Sequence, residues 1–221
     1  MFCKFGRRGQ ILILFAVLYI ALIYQLVYLT PYYRIDIDVP SSYIQALNLI
    51  FKRLICDALV HRINGGEFID RLNLNLHDIM NVYPLIVELS SYNVTLKDGY
   101  VGASVTLQVY DFKYRCRYTF SYNCCLGFKI VNITTSNSYV PTFNDVEMVV
   151  EIFGDSEALL KPPTFMISYI YNGSIFTFFP DSKSLINGYY VIRFVIPLNV
   201  HTFIFGVIDW RGVKCIVQFK F

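Results

Sequence analysis

Val213-Lys214-Cys215-Ile216-Val217-Gln218-Phe219-Lys220-Phe221 alternates apolar residues at 213, 215, 217 and 219 with Lys214, Gln218 and Lys220. A period of two places these sets on opposite faces of an extended strand, one buried and one wet. The preceding Asp209-Trp210-Arg211-Gly212 reads as a hairpin turn, with Gly212 available for positive φ. Trp210 is the only tryptophan. At a turn it is either a contact residue at a loop tip or, more simply, a ring folded back over the end of the strands. Further upstream, the runs 146–153, 165–171, 175–179, 189–196 and 202–208 repeat the strand composition. Lys161-Pro162-Pro163, Asn172-Gly173, Pro180-Asp181 and Asn187-Gly188 separate them.

Six strands at this spacing resemble an immunoglobulin-like β-sandwich, which would occupy residues 140–221. Before them, residues 134–144 are rich in Ser, Thr and Asn, carry Pro141, and read as a linker. Residues 85–89, 100–110, 112–120 and 128–133 are candidate strands. In the third of these, Lys113, Arg115 and Arg117 alternate with Tyr114, Cys116 and Tyr118, so the arginines belong to a wet face. Ser41-Ser42 can cap a helix whose apolar residues Tyr43, Leu47, Ile50, Leu54, Ala58 and Ile63 recur at three-to-four spacing. Gly65-Gly66 ends it, and residues 67–80 repeat the spacing with Phe68, Leu72, Leu76 and Ile79.

The N-terminal thirty residues have a different character. Residues 11–29 are apolar apart from Gln25, and at 1.5 Å per residue they would cover about 28 Å, close to the thickness of a bilayer core. Lys4, Arg7 and Arg8 supply the whole formal charge of +3 and leave the rest balanced. Such a leader predicts a cytoplasmic N-terminus and an extracytoplasmic body, and the absence of a basic run disfavours nucleic acid as a partner. The run ends in bulky residues without a small-residue cleavage site, which favours retention over an ordinary signal peptide. The expectation is therefore an α+β chain with five parts. They are a leader at 1–10, a transmembrane helix at 11–30, a juxtamembrane linker at 31–40, a helical hairpin with an antiparallel β region at 41–139, and the sandwich at 140–221.

Arg7-Arg8-Gly9-Gln10 directly before the apolar run resembles the class III signal peptide of archaeal type IV pilin-like proteins. The resemblance implies peptidase cleavage between Gly9 and Gln10, with assembly through the apolar helix. Two departures count against a filament. The fifth mature position is Leu14 where many members carry Glu, and Pro31 and Pro40 bracket 32–39 where pilins continue their helix.

Chemistry-bearing residues are few. Asn93, Asn132 and Asn172 each begin an Asn-x-Ser/Thr triplet that could carry a glycan outside the cell. If Cys116 and the Cys124-Cys125 pair face each other across a hairpin, a short-loop disulfide becomes feasible, whereas no Cys-x-x-Cys supports a metal. Asp36-Ile37-Asp38 lacks the oxygen ligands of a calcium loop, and His61, His77 and His201 are scattered. No nucleophile elbow, zinc-protease helix, phosphate loop or dinucleotide fingerprint occurs, so neither catalysis nor a cofactor is inferred. These readings favour a single-pass surface protein in the cell membrane, presenting a binding domain to other surface proteins or glycans. A pilin-like subunit self-assembling through its apolar helix, and an extracytoplasmic enzyme with an unrecognised site, are the alternatives.

Overall fold

In the computed structural model, residues 17–20, 22, 39–180, 183–186 and 188–220 are described. Helix α1, Ser41–Ile63, buries Leu47, Phe51, Ile55, Cys56, Ala58 and Leu59, which fall along one stripe at three-to-four spacing. It stops where Gly65 takes φ +94 and the Gly65 and Gly66 amides return to the carbonyls of Arg62 and His61. Helix α2, Phe68–Val82, buries Phe68, Leu72, Asn75 and Leu76. Asn75 is satisfied there by donating to the Leu54 carbonyl and to Asp57.

Among the described residues ten strands follow, in two antiparallel sheets. The larger has the order β1-β2-β3-β4-β8-β7, and the smaller the order β10-β9-β5-β6. Their ranges are β1 Leu85–Lys97, β2 Tyr100–Asp111, β3 Cys116–Asn137, β4 Phe143–Gly154, β5 Thr164–Tyr171, β6 Ser174–Phe178, β7 Lys183–Ile186, β8 Tyr189–Pro197, β9 Thr202–Ile208 and β10 Lys214–Lys220. Alternation along the large sheet gives it a polar outer face, where Ser104 meets Asn123 and Thr106 meets Ser121 across β2 and β3. Its inner face carries Val105, Leu107, Cys124, Leu126, Phe128, Met148, Ile192 and Phe194.

Two neighbours share that inner face. Phe51 of α1 packs on Phe120 of β3, so the helices cover β1, β2 and the first half of β3. Beyond them, Phe128 meets Phe205 of β9 edge-on and Phe194 of β8 meets Phe203, so the smaller sheet covers the remainder. Helices and both sheets contribute to one core cluster, and Ser41–Phe221 is one compact unit.

This architecture corrects the expected fold class. Strand accounts for 53% and helix for 24% of the described residues, a mostly β fold with two antiparallel sheets. The sheet pairings also run through the expected linker: residues 134–137 extend β3, which pairs with β4 from Leu126↔Gly154 to Asn137↔Asn144. Composition alone hid this, because Ser, Thr and Asn on the wet face of a long strand look like a linker. Likewise Lys113 and Arg115 lie in the turn between β2 and β3, where Asp111 accepts the amides of Lys113 and Tyr114 and Arg115 takes φ +51.

The membrane reading is corrected as well. Among the described residues no helix is long and apolar enough to cross a membrane. The long helix α1 carries Lys52, Arg53, Asp57 and Arg62, and its apolar stripe is spent on the core. A single-pass membrane placement with a cytoplasmic N-terminus and an extracytoplasmic body is therefore not supported. Of residues 11–30 only 17–20 and 22 are described, as helix, and the Arg7-Arg8-Gly9-Gln10 junction lies outside the described residues.

Candidate functional site

Four segments distant in sequence converge along the C-terminal half of α1: Cys56 of that helix, Cys124-Cys125 of β3, the loop after β4 beginning at Asp155, and the β9–β10 turn. The turn is built by Asp209. Its carboxylate accepts the amides of Arg211 and Val213 while Gly212, at φ +86, lets the chain reverse. That geometry sends the Arg211 side chain inward, where only 5% of it is exposed.

Arg211 is fully engaged. Nε donates to Asp209 at 2.8 Å, Nη2 lies 2.7 Å from the same carboxylate, and Nη1 donates to both Asp155 oxygens at 2.9 Å. Nη2 also reaches the Cys125 carbonyl at 3.4 Å. Asp155 in turn accepts the amides of Cys125, Glu157 and Ala158. Burial works against the charge on Asp155, but the Cys125 amide and the Arg211 guanidinium outweigh it and hold the carboxyl below its ordinary range. A buried guanidinium between two carboxylates, with its fork satisfied, is first of all a structural knot.

Beside the knot lies a cleft of about 580 Å³, lined by Leu49, Arg53, Cys56, Asp57, Val60, Glu157, Trp210 and Arg211. Trp210 stands at its rim, 46% exposed. Its indole N–H donates to the Glu157 carbonyl at 2.7 Å, and the Lys161 ammonium sits 5.1 Å from the ring centroid. The ring is thus folded back onto the 157–161 loop and still presents a surface. Asp57 is held by Arg71 at 2.7 Å and Glu157 by Lys52 at 3.0 Å. The Arg71 contact, with burial opposing it and Asn75 assisting, keeps the Asp57 carboxyl below its usual range. Arg53 and Lys161 have no carboxylate at ion-pair distance among the described residues.

Cys56 lies on the cleft floor. Its Sγ is 2.7 Å from the Cys124 Sγ and 3.8 Å from Arg211 Nη1. The Cys124 hydrogen bond lowers the pKa of Cys56 against the effect of burial, with Arg211 adding to it, and Cys124 is raised by the same contact and by burial.

The residues singled out in the sequence are dispersed. Cys116 and Cys124 lie on the same strand, eight positions apart, which at about 3.3 Å per residue is roughly 26 Å. They cannot bond, because residues 116–124 are not a hairpin. Cys116 instead contacts the Tyr118 hydroxyl at 2.8 Å, and Cys125 points away from Cys124 towards Tyr100. Asn93, Asn132 and Asn172 are all exposed. Asn172 at φ +49 and Gly173 at φ +77 form the two-residue turn between β5 and β6, so geometry accounts for that asparagine. Gly9 and Gln10 lie outside the described residues. Among the described residues no group of His, Cys, Asp and Glu converges as a metal ion requires. Arg211, Asp155 and Cys56 were invisible as a site in the sequence, since the contacts joining them span 56 to 155 positions and no short motif holds any two.

No family model matches the chain, and neither a curated protein nor a solved structure matches it.

Proposed function

We propose that the chain is a non-catalytic recognition module whose cleft beside α1 takes an acidic segment of a partner protein. Trp210 carries this reading: an aromatic ring pinned through its N–H and left 46% exposed at the rim of a cleft. A ring already held in place loses little freedom on contact, and tryptophan is enriched among the residues that dominate binding energy. Polarity follows from the flanking charges. Asp57 and Glu157 are already neutralised by Arg71 and Lys52, whereas Arg53 and Lys161 are free of carboxylates among the described residues. The unspent charge is positive, which suits carboxylates on the partner and an apolar side chain against Trp210 and Leu49.

The single tryptophan makes the test direct. Peptides selected from a random displayed library on the immobilised chain should be enriched in Asp and Glu around an apolar or aromatic residue. Binding should shift Trp210 emission, and Trp210→Ala and Arg53→Glu should each weaken it at least tenfold. Selected peptides that bind both variants as tightly as the parent would place recognition elsewhere on the molecule.

A further inference from the structure

We infer that Cys56 and Cys124 are a redox pair, closing under a disulfide oxidant into a covalent clasp between α1 and β3 beneath the cleft. The two Sγ atoms stand 2.7 Å apart, about 0.7 Å beyond the bonded length and nearer than unbonded sulfurs pack. Both are held there by the core rather than by flexible loops. Cys56 is flanked on its helix by buried Ile55, Ala58 and Leu59, and Cys124 lies between buried Tyr122 and Leu126 on the inner face of β3. Among the described residues the other cysteines are placed elsewhere. Cys125 faces the opposite side of the same strand, Cys116 is at its far end, and Cys215 is buried in β10.

The surroundings also assign an order to the chemistry. Cys56 lines the cleft, whereas Cys124 is 0% exposed, so an oxidant reaches Cys56 first. The hydrogen bond from Cys124, opposed by burial and aided by the Arg211 guanidinium at 3.8 Å, favours the thiolate form at Cys56 over the effect of the Asp155 and Glu157 carboxylates. The Cys56 thiolate attacks one sulfur of a small disulfide and expels the other half as a thiolate. Cys124 then gives up its proton to that leaving thiolate, attacks Cys56 Sγ, and expels the second half, which is protonated by the proton Cys56 released. Two protein thiols and one disulfide become one protein disulfide and two small thiols. The cysteines lose two electrons and the oxidant gains them. The bond would close a loop between positions 68 apart and anchor the helix that forms one wall of the cleft, whatever the cleft binds.

The experiment treats the full chain with glutathione disulfide, blocks remaining thiols with iodoacetamide under denaturing conditions, and maps the digest by mass spectrometry. The expected product is lighter by two hydrogens, with residues 54–62 joined to residues 118–129. Cys125→Ser should keep the cross-link and Cys124→Ser should lose it. The oxidised chain should melt roughly 10 °C above the reduced one, as expected for a loop of that length. The inference is overturned if Cys56 and Cys124 both remain alkylated in the unmutated chain after oxidation, or if the cross-link joins Cys56 to another cysteine. The alkylation map needs no variant, so a mutant that fails to fold does not obscure the outcome.

Discussion

Arg211 is the residue on which the cleft and the stability of the fold jointly depend. Its guanidinium pairs with both Asp155 and Asp209, whose side chains are 8% and 0% exposed. Arg211→Ala leaves two buried carboxylates without a counter-charge, a change that costs about 3–5 kcal/mol. Chemical denaturation should show that loss, and Arg211→Lys should recover little of it, because an ammonium cannot span both carboxylates as a planar fork does. Asp155 adds a pH signature. Its folded pKa lies below the ordinary carboxylate value, so its stabilisation is complete above the unfolded value near 4 and drains away as pH falls through the lower folded value. Urea midpoints between pH 2 and 6 should therefore fall steeply on the acid side for the parent and more gently for Asp155→Asn. An unchanged acid slope would mean that Asp155 is not the titrating group.

Helix α1 shows what local periodicity can and cannot settle. Its sequence offers two interleaved stripes, one through Leu47, Ile50, Leu54 and Ala58 and one through Leu47, Phe51, Ile55 and Leu59, and both fit three-to-four spacing. Packing against Phe120 of β3 selects the second, in which Phe51 and Ile55 are 0% exposed. Phe51→Ala should cost about 3–5 kcal/mol, whereas Leu49→Ala, at a 63% exposed position, should stay within about 0.5 kcal/mol. Thermal melts of the two variants separate the buried stripe from the exposed face of the helix. Strand positions were more legible, because β4, β5, β6, β8 and β9 are short alternating runs bounded by turn residues that fall within a few residues of where composition puts them. Strand β7 escaped notice, since Lys183–Ile186 is too short to show a period. Partnership between strands was not legible at all. Nothing in the alternation of β8 says that it joins β4 in the larger sheet while β9 joins β5 in the smaller one. The candidate site was hidden for the same reason, being assembled entirely from such long-range choices.

The whole molecule from Ser41 to Phe221 should then unfold as a single unit. Sheet pairing carries the chain from β3 into β4 and on to β8, and the smaller sheet seals the same face of the larger one that the helices cover. A cut at residue 139 or 140 would break the β3–β4 ladder, expose Phe128, Val146, Met148 and Ile192, and leave the smaller sheet without part of its support. Fragments 41–139 and 140–221 should therefore each lack dispersed amide resonances when expressed alone. In the intact chain two signals report from separated places. Trp210 emission follows the β9–β10 turn, and far-ultraviolet circular dichroism near 222 nm is weighted towards α1 and α2. One cooperative core requires the two urea transitions to coincide in midpoint and slope. Transitions that separate, or a fragment 140–221 that folds by itself, would instead show that the smaller sheet with β4 and β8 is an autonomous domain and that the continuity of the larger sheet adds little cooperativity.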